Sequence, residues 1–260
     1  MIDLHSHVLP ALDDGARDLT QALYALRLLG ADGITDLVCT PHLRASEVER
    51  GGEEAIARRD AVLAELRPSA PAVPRLHLGF EVLLDQPPVP EMVGDRRYAL
   101  AGSRHYLVEF RLSVVAQLAT RILSDMARAG VVPIVAHVER YGACSPSVVA
   151  DWKTVGARIQ VDATTLTRPT GRGRLARSLV EAGLVDVLAA DNHGDGRTLR
   201  TAVNFLRAKG TEGPAGVEGS LALLTRGNAE CVLKDTDMAD VPAIRLEEGL
   251  LGRVRRIFGR

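Results

Sequence analysis

Val132-Pro133-Ile134-Val135-Ala136-His137 is a continuous apolar run that closes on an imidazole. Before it lies an amphipathic stretch whose stripe is Leu118, Ile122 and Met126. That stretch ends at Gly130, a residue type that commonly stops helices. A helix followed by a strand that is apolar on both faces is the repeating unit of a parallel sheet covered by helices. Working outward, the same unit recurs almost from end to end. Candidate strands span residues 2–5, 34–39, 76–81, 106–110, 132–137, 158–162 and 184–191. A second stripe, Leu19, Leu23, Leu26 and Leu29, ends at Gly30. Residues 69–74 and 85–90 are rich in proline and read as loops. Seven strands alternating with helices predict a parallel α/β architecture, either a barrel or a doubly wound sheet. No internal repeat, low-complexity tract or convincing linker interrupts the pattern, so residues 1–260 are expected to form one domain.

The 260 residues carry 32 basic and 33 acidic side chains, a formal net charge of -1, and 46% are hydrophobic. A chain of this size can bury a substantial core. A constitutive nucleic-acid binder should be strongly basic or carry a basic stripe, so that class is disfavoured. No apolar run reaches the ~18 residues of a membrane span. The opening Met1-Ile2-Asp3-Leu4-His5 lacks the basic and apolar regions of a secretory signal. Cys39, Cys144 and Cys231 are too few for a disulfide scaffold, which fits a reducing cytoplasm. Residues 249–260 mix Leu250, Leu251, Val254 and Ile257 with Arg253, Arg255, Arg256 and Arg260. A solvated last helix is the simpler expectation there, and contact with an anionic membrane or a partner is the other.

Chemistry enters through where the histidines and acids fall. His5 and His7 end the first candidate strand, and His42 follows the second in Thr40-Pro41-His42. Glu81, Glu109 and His137 close the next three, and Asp191 and His193 close the last. Carboxyl ends of parallel strands share one side, where active sites are built. Five of the seven histidines lie there, and His77 and His105 are left as structural. On an extended segment, His5 and His7 share a face and can share a metal. Asp13-Asp14-Gly15 is an acidic pair that also suits a turn or helix cap. Mixed imidazole and carboxylate ligands suit Zn²⁺, Mn²⁺ or Fe²⁺. Together His5, His7, Asp14, His42, Glu81, Glu109, His137, Asp191 and His193 are too many ligands for one ion, so two or three ions are expected. Paired ions ~3.5–4 Å apart can clamp a phosphoryl or acyl oxygen and make a nucleophile of water. Arg140, three residues past His137, suits bidentate phosphate binding; its competing reading is an ion pair with Glu139 or another acid. Arg197 is a second candidate for substrate binding. Metals plus arginine favour phosphate-ester over amide hydrolysis.

Several mechanisms are excluded by inspection. A cysteine-based phosphatase needs arginine six positions after its thiolate, and those positions here are Ala45, Ala150 and Asp237. There is no phosphate-binding loop ending in Gly-Lys-Ser/Thr and no Gly-x-Ser-x-Gly elbow.

The chain resembles the polymerase-and-histidinol-phosphatase (PHP) superfamily. Within it, the sequence looks most like the bacterial metal-dependent protein-tyrosine phosphatases associated with capsule and exopolysaccharide synthesis. The resemblance runs through Ile2-Asp3-Leu4-His5-Ser6-His7-Val8-Leu9-Pro10, Asp13-Asp14-Gly15, Thr40-Pro41-His42, Gly79-Phe80-Glu81 and Val108-Glu109-Phe110. It continues through Ala136-His137-Val138-Glu139-Arg140-Tyr141, Ala190-Asp191-Asn192-His193 and Gly227-Asn228, and so covers nearly the whole chain. It implies a distorted seven-stranded (β/α)7 barrel and three metals, often manganese. By motif position His5, His7, Glu81 and Asp191 would hold the first ion, Glu81, Glu109 and His137 the second, and Asp14, His42 and His193 the third. Arg140 would grip the phosphate, with Asp191 and His193 also at the catalytic centre. Water activated by the metals would attack phosphorus with no phosphoenzyme.

Relatives commonly have Ser at the position of Ala190 and Asn at that of Gly194. Neither change removes a ligand, and both could alter the hydrogen bonding behind the metals. Residues 43–53 are charged, read as a flexible segment, and are expected to influence substrate choice. The leading expectation is a phosphotyrosine-protein phosphatase acting on an autophosphorylated bacterial tyrosine kinase that controls polysaccharide export. A small-molecule phosphatase of the histidinol-phosphate type shares the metal chemistry. A metal-bound regulator without turnover is a third reading, disfavoured by the complete ligand set.

Overall fold

Each predicted strand forms, but most are shorter than the apolar runs that announce them. The computed structural model describes residues 1–211 and 216–247. Its strands are β1 (Ile2–Asp3), β2 (Asp36–Cys39), β3 (His42–Arg44), β4 (Arg75–Leu78), β5 (Glu81–Leu83) and β6 (His105–Glu109). They continue with β7 (Val132–Val135), β8 (Arg158–Asp162), β9 (Val187–Ala189) and a small antiparallel pair, β10 (Gly210–Thr211) with β11 (Arg245–Leu246). The helices are α1 (Leu19–Ala31), α2 (Ala45–Leu66), α3 (Pro90–Gly94), α4 (Ala116–Arg128) and α5 (Pro146–Thr154). After them come α6 (Ala163–Thr167), α7 (Gly171–Glu181), α8 (Leu199–Lys209), α9 (Gly216–Ala222) and α10 (Asn228–Leu233). No helix among the described residues is long and apolar enough to cross a membrane.

Two sheets carry the architecture, in orders β1-β2-β4 and β3-β5-β6-β7-β8-β9, and every pairing within them is parallel. The chain passes from the three-stranded to the six-stranded sheet twice, across Thr40-Pro41 between β2 and β3 and across Gly79-Phe80 between β4 and β5, and returns once through α2. Pro41 has no N–H to give a ladder, so pairing breaks there. Backbone bonds still bridge the break, Gly79 N–H to Cys39 O at 3.0 Å and Glu81 N–H to Pro41 O at 3.1 Å. The two breaks are therefore adjacent kinks. At the other edge the chain just past β1 meets the chain just past β9. Ser6 and Asn192 form a parallel bridge, and His7 N–H donates to Asn192 O at 2.7 Å.

Alternate residues along each strand feed two separate apolar clusters. Leu37, Tyr106, Val108, Val135, Ile159 and Leu188 face the helices. Val38, Leu107, Ile134 and Val187 face the opposite way and join Ile2, Leu4, Leu100 and Val232. At the outer side Trp152 and Tyr106 are fully buried. Tyr106 Oη satisfies itself by donating toward the carbonyls around Met92–Asp95. Asn228 fastens α10 beneath the strands, its amide donating to Asp186 O and Ala239 O, each at 2.9 Å.

Several expectations need correction. The run at 76–81 is two strands, because Gly79-Phe80 carries the kink, and Glu81 begins the second rather than closing the first. The run at 184–191 pairs only over Val187–Ala189. Leu19 and Leu118 are 42% and 52% exposed, while Ala22, Ala25 and Ala119 are buried. The rest of each stripe, Leu26 and Leu29 in α1 and Ile122 and Met126 in α4, is buried as expected, so the departure is confined to the first turn of each helix and to Leu23, which is only partly buried. α1 also continues past Gly30 to Ala31. Residues 43–53 are not a flexible loop but belong to β3 and the first turns of α2. The tail at 249–260 lies outside the described residues.

Candidate metal centre

At the carboxyl ends of the strands, directly above the inner apolar cluster, the predicted imidazoles and carboxylates meet. His5 Nε2 lies 3.1 Å from His7 Nε2, 3.2 Å from Glu81 Oε2 and 3.3 Å from Asp191 Oδ1. His7 Nε2 is 3.3 Å from Glu81 Oε2 and 3.4 Å from Asp191 Oδ1. His137 Nε2 sits 2.8 Å from Glu81 Oε1 and 3.8 Å from Glu109 Oε1. On the open side, Asp14 Oδ1 is 3.4 Å from His42 Nε2 and 3.5 Å from His193 Nε2. His42 Nδ1 reaches Glu81 Oε2 at 3.0 Å. All nine sequence-predicted ligands are thus brought together, with Glu81 in the middle. A cavity of about 400 Å³, lined by Asp14, His42, Glu109, Arg140 and His193 among others, leads to them. A larger cavity of about 580 Å³ along α2 gathers no such set, so size is not what marks the site.

The local backbone is bent to achieve this. His137 and Asp191 have φ of 32° and 49°, the left-handed region that side chains other than glycine rarely adopt. Each turns its side chain inward at the end of a strand that would otherwise continue. Gly15 serves His7: a Cβ on it would lie 1.9 Å from His7 O, so only glycine lets the Asp13-Asp14 turn close over that histidine. At Gly194 the φ of 76° and the crowding by Ala16 and Gln21 select glycine.

Hydrogen bonds behind the cluster fix which nitrogens face inward. His5 Nδ1–H donates to Gln160 Oε1 at 3.0 Å, and His7 Nδ1–H donates to Asp13 Oδ2 at 2.7 Å. His193 Nδ1–H donates to the Asp191 carbonyl at 2.9 Å. In all three rings the Nε2 lone pair is left to point at the centre. Two such lone pairs 3.1 Å apart repel unless a cation lies between them. Glu81 Oε2 is buried and has no well-directed hydrogen bond, although three imidazole nitrogens lie within 3.3 Å of it. Atoms arranged in this way fit a divalent cation better than they fit one another.

The electrostatics agree. Burial opposes charge on His5 and His7, yet their carboxylate neighbours outweigh it and raise both pKa values. Glu81 and Asp191 resist burial and are held far below the usual carboxylate range by the imidazoles, and Asp191 also by Arg140. Glu109 moves the other way, raised by burial and by Glu81. His193 is lowered by burial and by His7. A field that would attract protons to His5 and His7 attracts metal ions equally.

Of its two readings, Arg140 shows the ion pair, made with acids other than Glu139. It donates to Asp162, at 3.2 Å, and to Asp191, not to Glu139, and it remains at the cavity wall. Glu139 is instead buried, accepts from Asp162 N–H at 3.3 Å, and is pushed up to about 8 by burial and by Asp162. Tyr141 donates to Ala136 O at 2.9 Å and accepts from Phe110 N–H at 3.2 Å, locking the turn. Arg197 pairs with Asp195 at 2.9 Å and lies 3.7 Å from Asp191. Sequence reasoning missed Gln160 and Asp162. Both lie on β8, the one strand judged to bring nothing, Gln160 in its middle and Asp162 at its end, and the strand-end signal would have found Asp162. Burial pushes the thiols of Cys39 and Cys144 up to about 12, so neither supplies a thiolate. His77 pairs with Asp36 and His105 lies beside Ser103, both outside the cluster as expected.

Comparison with known proteins agrees with this geometry. The family described as capsular polysaccharide synthesis, CpsB/CapC, matches residues 1–216. The tyrosine-protein phosphatase YwqE of Bacillus subtilis (strain 168) is 30% identical over 199 residues, covering 74% of this chain and 77% of that protein. The tyrosine-protein phosphatase CpsB of Streptococcus pneumoniae is 26% identical over 202 residues, covering 74% of this chain and 83% of that one. Among solved structures, one from a study of YwqE and CpsB, described as unique metal-dependent tyrosine phosphatases, superposes with a TM-score of 0.75. It shares 24% identity and covers 95% of this chain and 100% of that one, which establishes a shared α/β fold with parallel sheets.

Proposed function

The chain belongs to the CpsB/CapC capsular polysaccharide synthesis family, and from that premise we propose that it is a metal-dependent protein-tyrosine phosphatase. One observation carries the chemistry: nine imidazole and carboxylate side chains converge beside two arginines. We assign His5, His7, Glu81 and Asp191 to a first ion, Glu81, Glu109 and His137 to a second, and Asp14, His42 and His193 to a third. Mn²⁺ is the ion proposed, with Fe²⁺, Zn²⁺ and Mg²⁺ the others to test. The proposal includes placement in the PHP superfamily and closure of the strands into a distorted seven-stranded barrel. The two kinked strands and the Ser6–Asn192 bridge support that closure.

Bound divalent ions would supply Lewis-acid charge at the phosphoryl group and lower the pKa of water enough for attack on phosphorus. The protein's own groups do the rest. Arg140 and Arg197 bind the non-bridging phosphate oxygens, and they stabilise charge that grows in the transition state. Asp191 and Asp162 hold the Arg140 guanidinium in place. His193, kept neutral by its surroundings, is available as a ligand or proton acceptor on the open side. The phosphorus–oxygen bond to tyrosine breaks, and the phenol and inorganic phosphate leave. The physiological substrate proposed is an autophosphorylated bacterial tyrosine kinase that controls polysaccharide export, and the location proposed is the cytoplasm.

The test is a paired assay of Mn²⁺-loaded protein on a phosphotyrosine peptide and on histidinol phosphate, compared by kcat/KM. Chelator-sensitive preference for the peptide is expected, together with indifference to thiol alkylation. Preference for histidinol phosphate would replace the substrate class and keep the metal chemistry. Inactivation by alkylation with metals in place would point to a cysteine mechanism.

A further inference from the structure

Beside the mouth of the metal centre lies a second cavity of about 380 Å³, sharing Glu109 and Arg140 with the first. Four guanidiniums line it, those of Arg140, Arg197, Arg168 and Arg172. Carboxylates already hold two of them, Arg140 through Asp162 and Asp191 and Arg197 through Asp195. Arg168 and Arg172 are exposed and make no ion pair among the described residues. Arg168 stands on the turn from α6 into α7 and Arg172 in the first turn of α7, and Arg177 fastens the connection by donating to Leu166 O at 2.8 Å and Arg168 O at 2.9 Å. Thr164 contributes a buried hydroxyl to the same wall with no hydrogen-bond partner. Buried hydroxyls are rarely left unpaired. Leu112, 53% exposed, gives the rim an apolar surface of the kind an aromatic ring packs against.

The wall also carries the carboxylates of Glu109 and Asp162, so the charges left for an entering anion are those of Arg168 and Arg172. Guanidiniums also match carboxylates and phosphates as planar forks of donors. We propose that this cavity is a specificity subsite for a second anionic group on the phosphotyrosine substrate, held by Arg168 and Arg172 while Arg140 engages the reacting phosphate. The group is either an aspartate or glutamate near the phosphotyrosine or a second phosphate on the same peptide. The inference rests on the phosphatase reading above and names the substrate that this site selects.

Three peptides of one sequence separate the cases: one with neutral flanks, one with Asp or Glu flanks, and one with a second phosphotyrosine. Each is assayed for kcat/KM with the Mn²⁺-loaded full chain. Binding is read separately by fluorescence anisotropy, with the phosphotyrosines replaced by a non-hydrolysable phosphonate. The expected result is that one or both anionic peptides are preferred over the neutral one by about tenfold, as a charge-assisted hydrogen bond would give. The preference resides in KM and in affinity, and it shrinks as salt rises. Arg168→Ala with Arg172→Ala collapses the ratio between anionic and neutral peptides, and Arg168→Lys with Arg172→Lys restores part of it. Which peptide gains identifies the source of the charge. Equal kcat/KM on all three peptides, or a ratio unmoved by the double alanine variant, overturns the subsite and leaves the phosphatase reading standing. Turnover of histidinol phosphate with none on any peptide overturns both.

Discussion

Asp191 answers to two sets of neighbours. Its Oδ1 faces His5 and His7, and its Oδ2 receives Arg140 and lies 3.7 Å from Arg197. One carboxylate thereby joins the proposed metal ligands to the proposed phosphate grip. Arg140→Ala is expected to keep the metal content and to lower phosphatase activity roughly 100-fold or more, because it removes a donor aimed at developing charge. Metal analysis beside kcat/KM checks both halves. A variant that stays fully active would take Arg140 out of the mechanism. That Asp191 and Arg140 are candidates was legible from the chain, since each follows an apolar strand. Their mutual contact was not, because 51 residues separate them and only the adjacency of strand ends in space joins them.

At the scale of elements, β8 is the strand whose contribution is indirect. Gln160 is buried in its middle and accepts from His5 Nδ1–H, which sets the tautomer of a proposed ligand. Gln160→Leu keeps the volume and removes the acceptor. Its expected effect is a loss of roughly 10- to 100-fold in metal affinity with the fold retained, as found when partners behind a metal ligand are removed. Titration calorimetry with Mn²⁺, with circular dichroism as the control, reads this directly, and unchanged affinity would make Gln160 a packing residue. A glutamine inside an apolar strand carries no mark in the sequence to separate support from structure. The same limit hid the kink at Gly79-Phe80. Residues 76–81 read as one strand apart from Gly79, and the break there lies beside Pro41 of the neighbouring strand.

Over the whole molecule, stability should depend on acid through a histidine well away from the centre. His105 is buried beside Ser103, and burial together with Arg104 lowers its pKa to about 4 from an ordinary value of 6.5. The folded protein therefore resists a proton that the unfolded chain accepts. Above pH 6.5 both forms are neutral and this residue adds no slope. Between pH 6.5 and about 4 the unfolded state gains the proton first, so stability falls as pH falls. The loss attributable to His105 is about 3 kcal/mol across that window. Denaturant unfolding of the wild type and of His105→Gln at several pH values isolates it, because the other titrating groups are common to both. Parallel profiles would remove His105 from the acid response.

The parallel α/β class and the nine candidate ligands could be read from the order of residues alone. Both depend on order along the chain: apolar runs of strand length alternate with helical stripes, and most of the candidates stand at or just past the stop of a run, Asp14 in its turn being the exception and Glu81 opening a new strand. Tertiary structure alone decided how those ligands face one another. It bent His137 and Asp191 into left-handed backbone, chose the inward nitrogens through Gln160 and Asp13, and brought Arg168 and Arg172 beside Arg140. Periodicity records which face of a strand or helix is buried. The approach of residues from different strand ends depends on twist, kinks and packing between elements, and no local stretch of chain encodes these.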